Sequence, residues 1–333
     1  MKRRLVVNAG IFAAVMALTF WSVFRGQNFS ELAAAVGQMS GGYMAAAVFL
    51  AVFFVAGEGV MIWYLLRGIG ERSTLPRCIS YSFIGFFFSG ITPSATGGQP
   101  VQLYYMRRNG NALSASSVVL MTVAVIYKFV LVLIGIGIFL LWRKPLKIYL
   151  RAYYGLYFLG LFLNVALVAV LLIIMFSQRV IRTCFYRIER VLVRLRLWRR
   201  TDTRAEKVEQ FLSGYQETVD FLRNHKRLIG VTIAGTFVQR VSVFVLTAVV
   251  YRGLGLSGVS VLDIVLVQAA VYIAVDMLPV PGAQGITEAM YRCVFQDIFV
   301  GHTLVVSVCI TRGISFYLVM LLGFLVFCTA GRK

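Results

Sequence analysis

Long apolar runs recur from one end of this chain to the other, and no water-soluble fold can bury so many of them. Residues 5–24, 42–66, 113–141, 152–176, 228–251 and 302–329 each reach or exceed the roughly 20 residues that carry a helix across about 30 Å of hydrocarbon. Only 14% of the 333 residues are charged, well below the roughly 25% of a soluble domain. A soluble enzyme, a DNA-binding protein and a secreted disulfide scaffold are thereby excluded as readings of the whole chain. The formal net charge of +20 fits cations gathered on the cytoplasmic side of a membrane, facing anionic lipid, better than it fits nucleic acid. The five cysteines are odd in number and lack CxxC spacing, as expected of free thiols. The two histidines, His225 and His302, assemble no zinc pattern, so no metal and no cofactor is expected.

The distribution of Lys and Arg sets an orientation. Lys2, Arg3 and Arg4 place the N-terminus inside, ahead of a first span at 5–24; no small-x-small site marks that run as a cleaved signal peptide. Residues 178–227 carry 13 Lys/Arg and 6 Asp/Glu, and Arg332 and Lys333 follow the last run. Both termini are therefore expected in the cytoplasm of a bacterial-type cell (inner) membrane. The loop 142–151 violates the rule, with Arg143, Lys144, Lys147 and Arg151 on the predicted outer side. Within 178–227, Ile181, Phe185, Ile188, Leu192 and Leu195 alternate with arginines at helical spacing, which predicts a basic amphipathic helix on the inner leaflet. A second, weaker helix presents Val208, Leu212, Tyr215, Val219 and Leu222.

Two further apolar segments, 79–92 and 261–278, break at Pro and Gly and lead into a second short segment. The breaks share a pattern, Pro-Ser-Ala-Thr-Gly at 93–97 and Pro-Gly-Ala-Gln-Gly at 281–285. The orientation closes if each enters and leaves on one side, although two full crossings at either place fit the hydropathy as well. The predicted fold is an all-α integral membrane protein with six spanning helices, two re-entrant broken-helix hairpins and an inverted repeat. Its parts are an N-terminal membrane half, 1–177, with re-entrant segment 79–112; cytoplasmic amphipathic helices, 178–227; and a C-terminal membrane half, 228–333, with re-entrant segment 261–299. Unwound backbone at that depth is tolerated only beside protein or a wet cavity. Gly97, Gly98, Gly282 and Gly285 would allow close approach to a ligand.

Six ionisable residues lie within or beside apolar runs: Glu58, Lys128, Arg240, Asp276, Glu288 and Arg312. Each costs about 2.5–3.5 kcal/mol at a helix centre, so partners or water are required. Mutual pairing is one solution. The other is a polar cavity, helped by Gln239 and Gln268, in which the cations suit a phosphate and the acids an ammonium group. A zwitterionic or aminoacylated phospholipid carries both. No nucleophile–base pair stands out, so no catalytic residue is expected.

Two stretches carry a resemblance. GFFFSGITPSATGGQPVQLYYMRRNG (85–110) and DMLPVPGAQGITEAM (276–290), with the basic FLRNHKRLIG (221–230) between them, resemble the lysylphosphatidylglycerol synthase transmembrane-region family, the flippase-like membrane part of multiple peptide resistance factors. By that resemblance Pro93, Gly97, Gly98, Arg107 and Arg108 form one motif, and Pro279, Pro281, Gly282, Gly285 and Glu288 the other. The resemblance implies a domain that moves lysylated phosphatidylglycerol, or another lipid, between leaflets. It also implies a soluble synthase domain that transfers lysine from lysyl-tRNA, for which the chain ending at Lys333 leaves no room. The leading expectation is a lipid flippase without synthase or ATPase activity of its own. The alternatives are a phosphatidylglycerol lysyltransferase or its membrane subunit, and a scaffold that binds anionic lipid. Phospholipid is the expected partner; a separate synthase and a second copy of the chain are left open.

Overall fold

The computed structural model describes residues 37, 39–92, 96–177, 179–180, 182–183, 187, 202–277 and 286–330. The first expected span, most of the basic helix expected near 181–196, both chain ends and the tips of the two breaks lie outside these residues. Helix makes up 87% of the described residues, and none of them is in a strand. The helices are α1 (Gly41–Gly68), α2 (Leu75–Ile91), α3 (Gly98–Arg108), α4 (Leu113–Leu141), α5 (Arg143–Leu150), α6 (Tyr154–Phe176), α7 (Asp202–Asn224), α8 (Lys226–Gly253), α9 (Val261–Val275), α10 (Ile286–Phe295), α11 (His302–Arg312) and α12 (Val319–Ala330). Five stretches are long and apolar enough to cross a membrane: Gly41–Gly68, Leu113–Leu141, Arg143–Phe176, Lys226–Gly253 and Thr303–Ala330. They correspond to five of the six expected runs.

The stretch 142–151, read from sequence as a loop, is helical. Leu146 and Leu150 are buried one turn apart while Arg143, Lys144 and Lys147 are exposed. Apolar residues at that spacing make a short amphipathic helix more favourable than an open loop. Between α11 and α12 the chain makes a π-helical turn, Gly313–Leu318.

Both interrupted segments fold as helix, break, helix: α2 then α3, and α9 then α10. Pro76 in the first turn of α2 sits where its missing N–H is no loss. At the other end, the Thr92 hydroxyl donates to Phe88 O at 2.7 Å and accepts from Gly97 N at 2.9 Å. That one side chain closes α2 and fixes the start of α3. Ser260 caps α9, its hydroxyl accepting from Leu262 N at 3.2 Å.

The ends of α2–α3 are tied to each other, and those of α9–α10 to the residues flanking α5. For α2–α3, Glu71 Oε1 accepts from Ala112 N at 3.3 Å, and Asn109 Nδ2 donates to the Tyr81 hydroxyl at 2.8 Å. For α9–α10, Trp142 Nε1 donates to Asp263 Oδ1 at 3.2 Å, and Arg151 pairs with Asp297. Glu71 and Ala112 lie by the N-terminal end of α4, and Trp142 by its C-terminal end. The two segments are thus anchored at opposite ends of the same long helix.

Packing follows that division. One core gathers Ile62, Phe87, Met106, Val118, Tyr215 and Met320 around α2–α3. A second gathers Leu131, Leu146, Tyr157, Phe244, Ile273 and Phe295 around α9–α10. A third joins α1, α8 and the last helices through Ala51, Val55, Leu246, Val306 and Ile310. Helix α4 serves both of the first two, with its first half in one and its second half in the other.

Candidate functional site

The polar residues at mid-helix converge where the two cores meet. Glu58 is the eighteenth of 28 residues in α1, Lys128 the sixteenth of 29 in α4, and Arg240 the fifteenth of 28 in α8. Asp276 caps the C-terminal end of α9, directly before the second break. Small residues let these helices close up. A side chain at Gly57 would meet Gln239 Cγ at 3.0 Å, and one at Gly59 would meet the Ile79 Cα at 2.5 Å.

Arg240 is the anomaly of this region. Its side chain is fully buried. The guanidinium carbon lies 3.1 Å from the ring centre of Tyr127, 5.0 Å from Tyr272 and 5.6 Å from Phe54. The two tyrosine hydroxyls are hydrogen-bonded to each other at 3.1 Å, so they close the cage rather than serve the cation. None of the three guanidinium nitrogens has a hydrogen-bond partner among the described residues. Aromatic faces stabilise a desolvated cation by about 2 kcal/mol. They do not satisfy its N–H groups, which point in a rigid fork suited to a carboxylate or phosphate.

The neighbouring charges are differently placed. Glu58 accepts from Gln102 Nε2 at 2.6 Å, and so is held to α3, the second leg of the first interrupted segment. Arg240 acts on Glu58 electrostatically without forming an ion pair with it. Lys128 pairs with Asp276, and its ammonium also lies 3.5 Å from Met277 Sδ. Gln239 Nε2 donates to Phe54 O at 2.7 Å, and the Gln268 Oε1 is buried without a partner among the described residues.

The structure therefore brings Glu58, Lys128, Arg240 and Asp276 into one region. Arg107 and Arg108 are not in it; they are exposed on the last turn of α3. Arg312 ends α11 at the π-helical turn, 5.0 Å from the Phe316 ring. Gly97 and Gly98 begin α3, and the close approach there is to α2: a Cβ on Gly98 would meet Gly85 O at 2.6 Å. Pro93, Pro279, Pro281, Gly282, Gly285 and the Glu288 side chain lie outside the described residues. Among the described residues no three of His, Cys, Asp and Glu cluster as metal ligands. Sequence reasoning did not single out Tyr127, Tyr272 or Gln102. The signal for the tyrosines was their place, one residue before Lys128 and four before Asp276.

A family model described as lysylphosphatidylglycerol synthase TM region matches residues 6–323. The chain belongs to this family. No curated protein matches it. Membership in the lysylphosphatidylglycerol synthase TM region family, with the apolar helices above, makes the chain a multi-pass membrane protein. It also gives the chain a membrane role in the handling of lysylphosphatidylglycerol, and so an association with phospholipid.

Proposed function

We propose that the chain is a flippase-type transporter that moves phospholipid between leaflets, with an aminoacylated headgroup such as that of lysylphosphatidylglycerol as its preferred cargo. The observation that carries this reading is Arg240, a cation fixed at mid-helix depth by three rings with no acceptor for its N–H groups among the described residues. A lipid phosphate passing through supplies that acceptor. Glu58, held by an amide rather than by a cation, is placed to receive an ammonium group.

The interrupted segments support the same reading. We take α2–α3 and α9–α10 as re-entrant hairpins entering from opposite faces, because the two ends of α2–α3 are hydrogen-bonded to each other beside the N-terminal end of α4, and the two ends of α9–α10 are held to Trp142 and Arg151, on either side of α5, beyond its C-terminal end. Paired broken segments of this kind surround substrate sites in transporters built as inverted repeats. In this reading residues 1–177 and 228–333 are the two membrane halves, 178–227 the cytoplasmic connector, and both termini are cytoplasmic in the inner membrane. In this reading the route of the headgroup passes the start of α3, with Arg312 beside it and Arg107 and Arg108 at its mouth; the remaining Pro and Gly candidates and the Glu288 side chain lie outside the described residues.

Reconstitution tests the proposal. The full chain in vesicles should move labelled lysylphosphatidylglycerol between leaflets faster than protein-free vesicles do. Rates equal to the protein-free control for both that lipid and phosphatidylglycerol would remove the transporter reading.

A further inference from the structure

A cavity lies apart from the central charges, where α7 packs against α4 and the start of α8. Its apolar part holds about 370 Å³ and is walled by Val125 of α4, Leu172 of α6 and Ile229 of α8, among others. That is more than twice the ~150 Å³ of an apolar cavity that stays dry and admits benzene. Phe176, Val219 and Arg223 also wall an adjoining polar cup of about 360 Å³, which adds Tyr215 and Asp220. The two spaces therefore run into each other along shared side chains. One end is hydrocarbon-like and the other is polar.

The polar end has unmet valences. The Tyr215 side chain is 7% exposed, and its hydroxyl has no hydrogen-bond partner among the described residues. Burial pushes its ionisation above the usual phenol range, so it remains a donor. Arg223 stands exposed where the two spaces meet, Lys226 stands exposed on the wall of the apolar one, and neither is ion-paired among the described residues. Asp220 lies one turn before Arg223 on α7, on the same face, and opens into the cup.

We propose that this joined cavity seats one phospholipid whose headgroup carries both a phosphate and an ammonium group. One acyl chain lies along Val125, Leu172 and Ile229. The phosphate rests between Arg223 and Lys226, with the Tyr215 hydroxyl as a further donor. The ammonium group meets Asp220. Charge complementarity selects this occupant: a detergent-like apolar molecule leaves the cations and Tyr215 unused, and a soluble phosphate leaves the apolar walls empty. The site's role as a loading station rests on the transporter reading; its existence does not.

Photolabelling separates the two. The full chain in nanodiscs is irradiated with phosphatidylglycerol or lysylphosphatidylglycerol bearing a diazirine on one acyl chain, and the labelled residues are mapped by mass spectrometry. Label should concentrate at Leu172 and Ile229, more with the lysylated probe. Arg223→Gln and Lys226→Gln, both surface changes, should each lower it about fivefold with either probe, the effect of one cation near a lipid surface. Asp220→Asn should lower it only with the lysylated probe. Label spread equally over outward-facing residues such as Leu140 and Phe162 and unmoved by the two cation substitutions overturns the site, and indifference to Asp220→Asn overturns the ammonium assignment. Label confined to the cavity without leaflet transfer by the same protein leaves the site standing and removes the transporter reading.

Discussion

Replacing Arg240 with Gln removes a buried guanidinium that has three aromatic neighbours and no acceptor among the described residues. Two opposing effects bear on the fold. Loss of a desolvated cation–ring contact costs about 2 kcal/mol. Removal of buried, unsatisfied donors returns about 1–3 kcal/mol. They nearly cancel, so thermal unfolding in detergent should shift little. The effect on a phosphate in transit does not cancel. A hydrogen bond to a charged group contributes about 1.5–3 kcal/mol, and about 1.4 kcal/mol is a factor of ten, so transfer should slow by roughly 10- to 150-fold.

The assay follows a fluorescent phospholipid in proteoliposomes, read by a quencher that cannot cross the bilayer. Arg240→Lys sharpens it. Lysine keeps the charge but loses both the planar stack on Tyr127 and the fork of donors, so its rate should fall between those of wild type and Arg240→Gln. Near-wild-type transfer by Arg240→Gln would refute the assignment of Arg240 to the headgroup. An unfolding shift as large as the loss of transfer would make the residue a structural element instead.

Three further outcomes follow from the same geometry. Asp276→Asn should destabilise the protein by about 3–5 kcal/mol, because it strands the Lys128 ammonium at depth; the double change Lys128→Met with Asp276→Leu should recover most of that in detergent unfolding. Gly59→Val should cost about 1–3 kcal/mol of stability through overpacking against the α2 backbone, seen as a lower unfolding temperature. Cysteines at Arg72 and Ala112 should react with an impermeant thiol reagent from one face of the membrane and those at Lys144 and Gln296 from the other; any other grouping contradicts the two-hairpin arrangement.

Hydropathy made the five described spans legible because length and apolarity are properties of a run, independent of what packs on it. The interruptions were equally visible, since Pro and Gly interrupt helices locally, and α2–α3 and α9–α10 both fold as helix, break, helix. What stayed hidden depends on contacts between distant residues. The helix at Arg143–Leu150 was masked by its four nearby cations, whose placement depends on Leu146 and Leu150 finding a core. The tyrosine cage was hidden because an aromatic at helical spacing reads as ordinary core. Only the crossing of α4, α8 and α9 places Tyr127 and Tyr272 on the same guanidinium. Arg107 and Arg108, prominent in the sequence, stand exposed away from that centre because they occupy the last turn of α3, about 15 Å along the axis from its start at the break.

The contrast between the two cations at mid-depth is itself an argument about function. Lys128 is closed by Asp276, and a closed pair at that depth needs nothing more to be compatible with the fold. Arg240 has its charge stabilised by three rings, while its buried N–H groups have no acceptor among the described residues. Were the role structural, a carboxylate in reach would have closed it too, and Glu58 is near enough to feel the charge. Glu58 is instead engaged by Gln102 from α3, the second leg of an interrupted segment. An uncharged amide releases a carboxylate more readily than a cation does, because it adds no attraction between opposite unit charges. On the transporter reading, both ends of a headgroup that carries phosphate and ammonium would thus meet groups that are held in place but not committed to each other. A site meant only to bind would gain from a stronger grip at both ends. One that must also release its lipid to the opposite leaflet requires this intermediate arrangement.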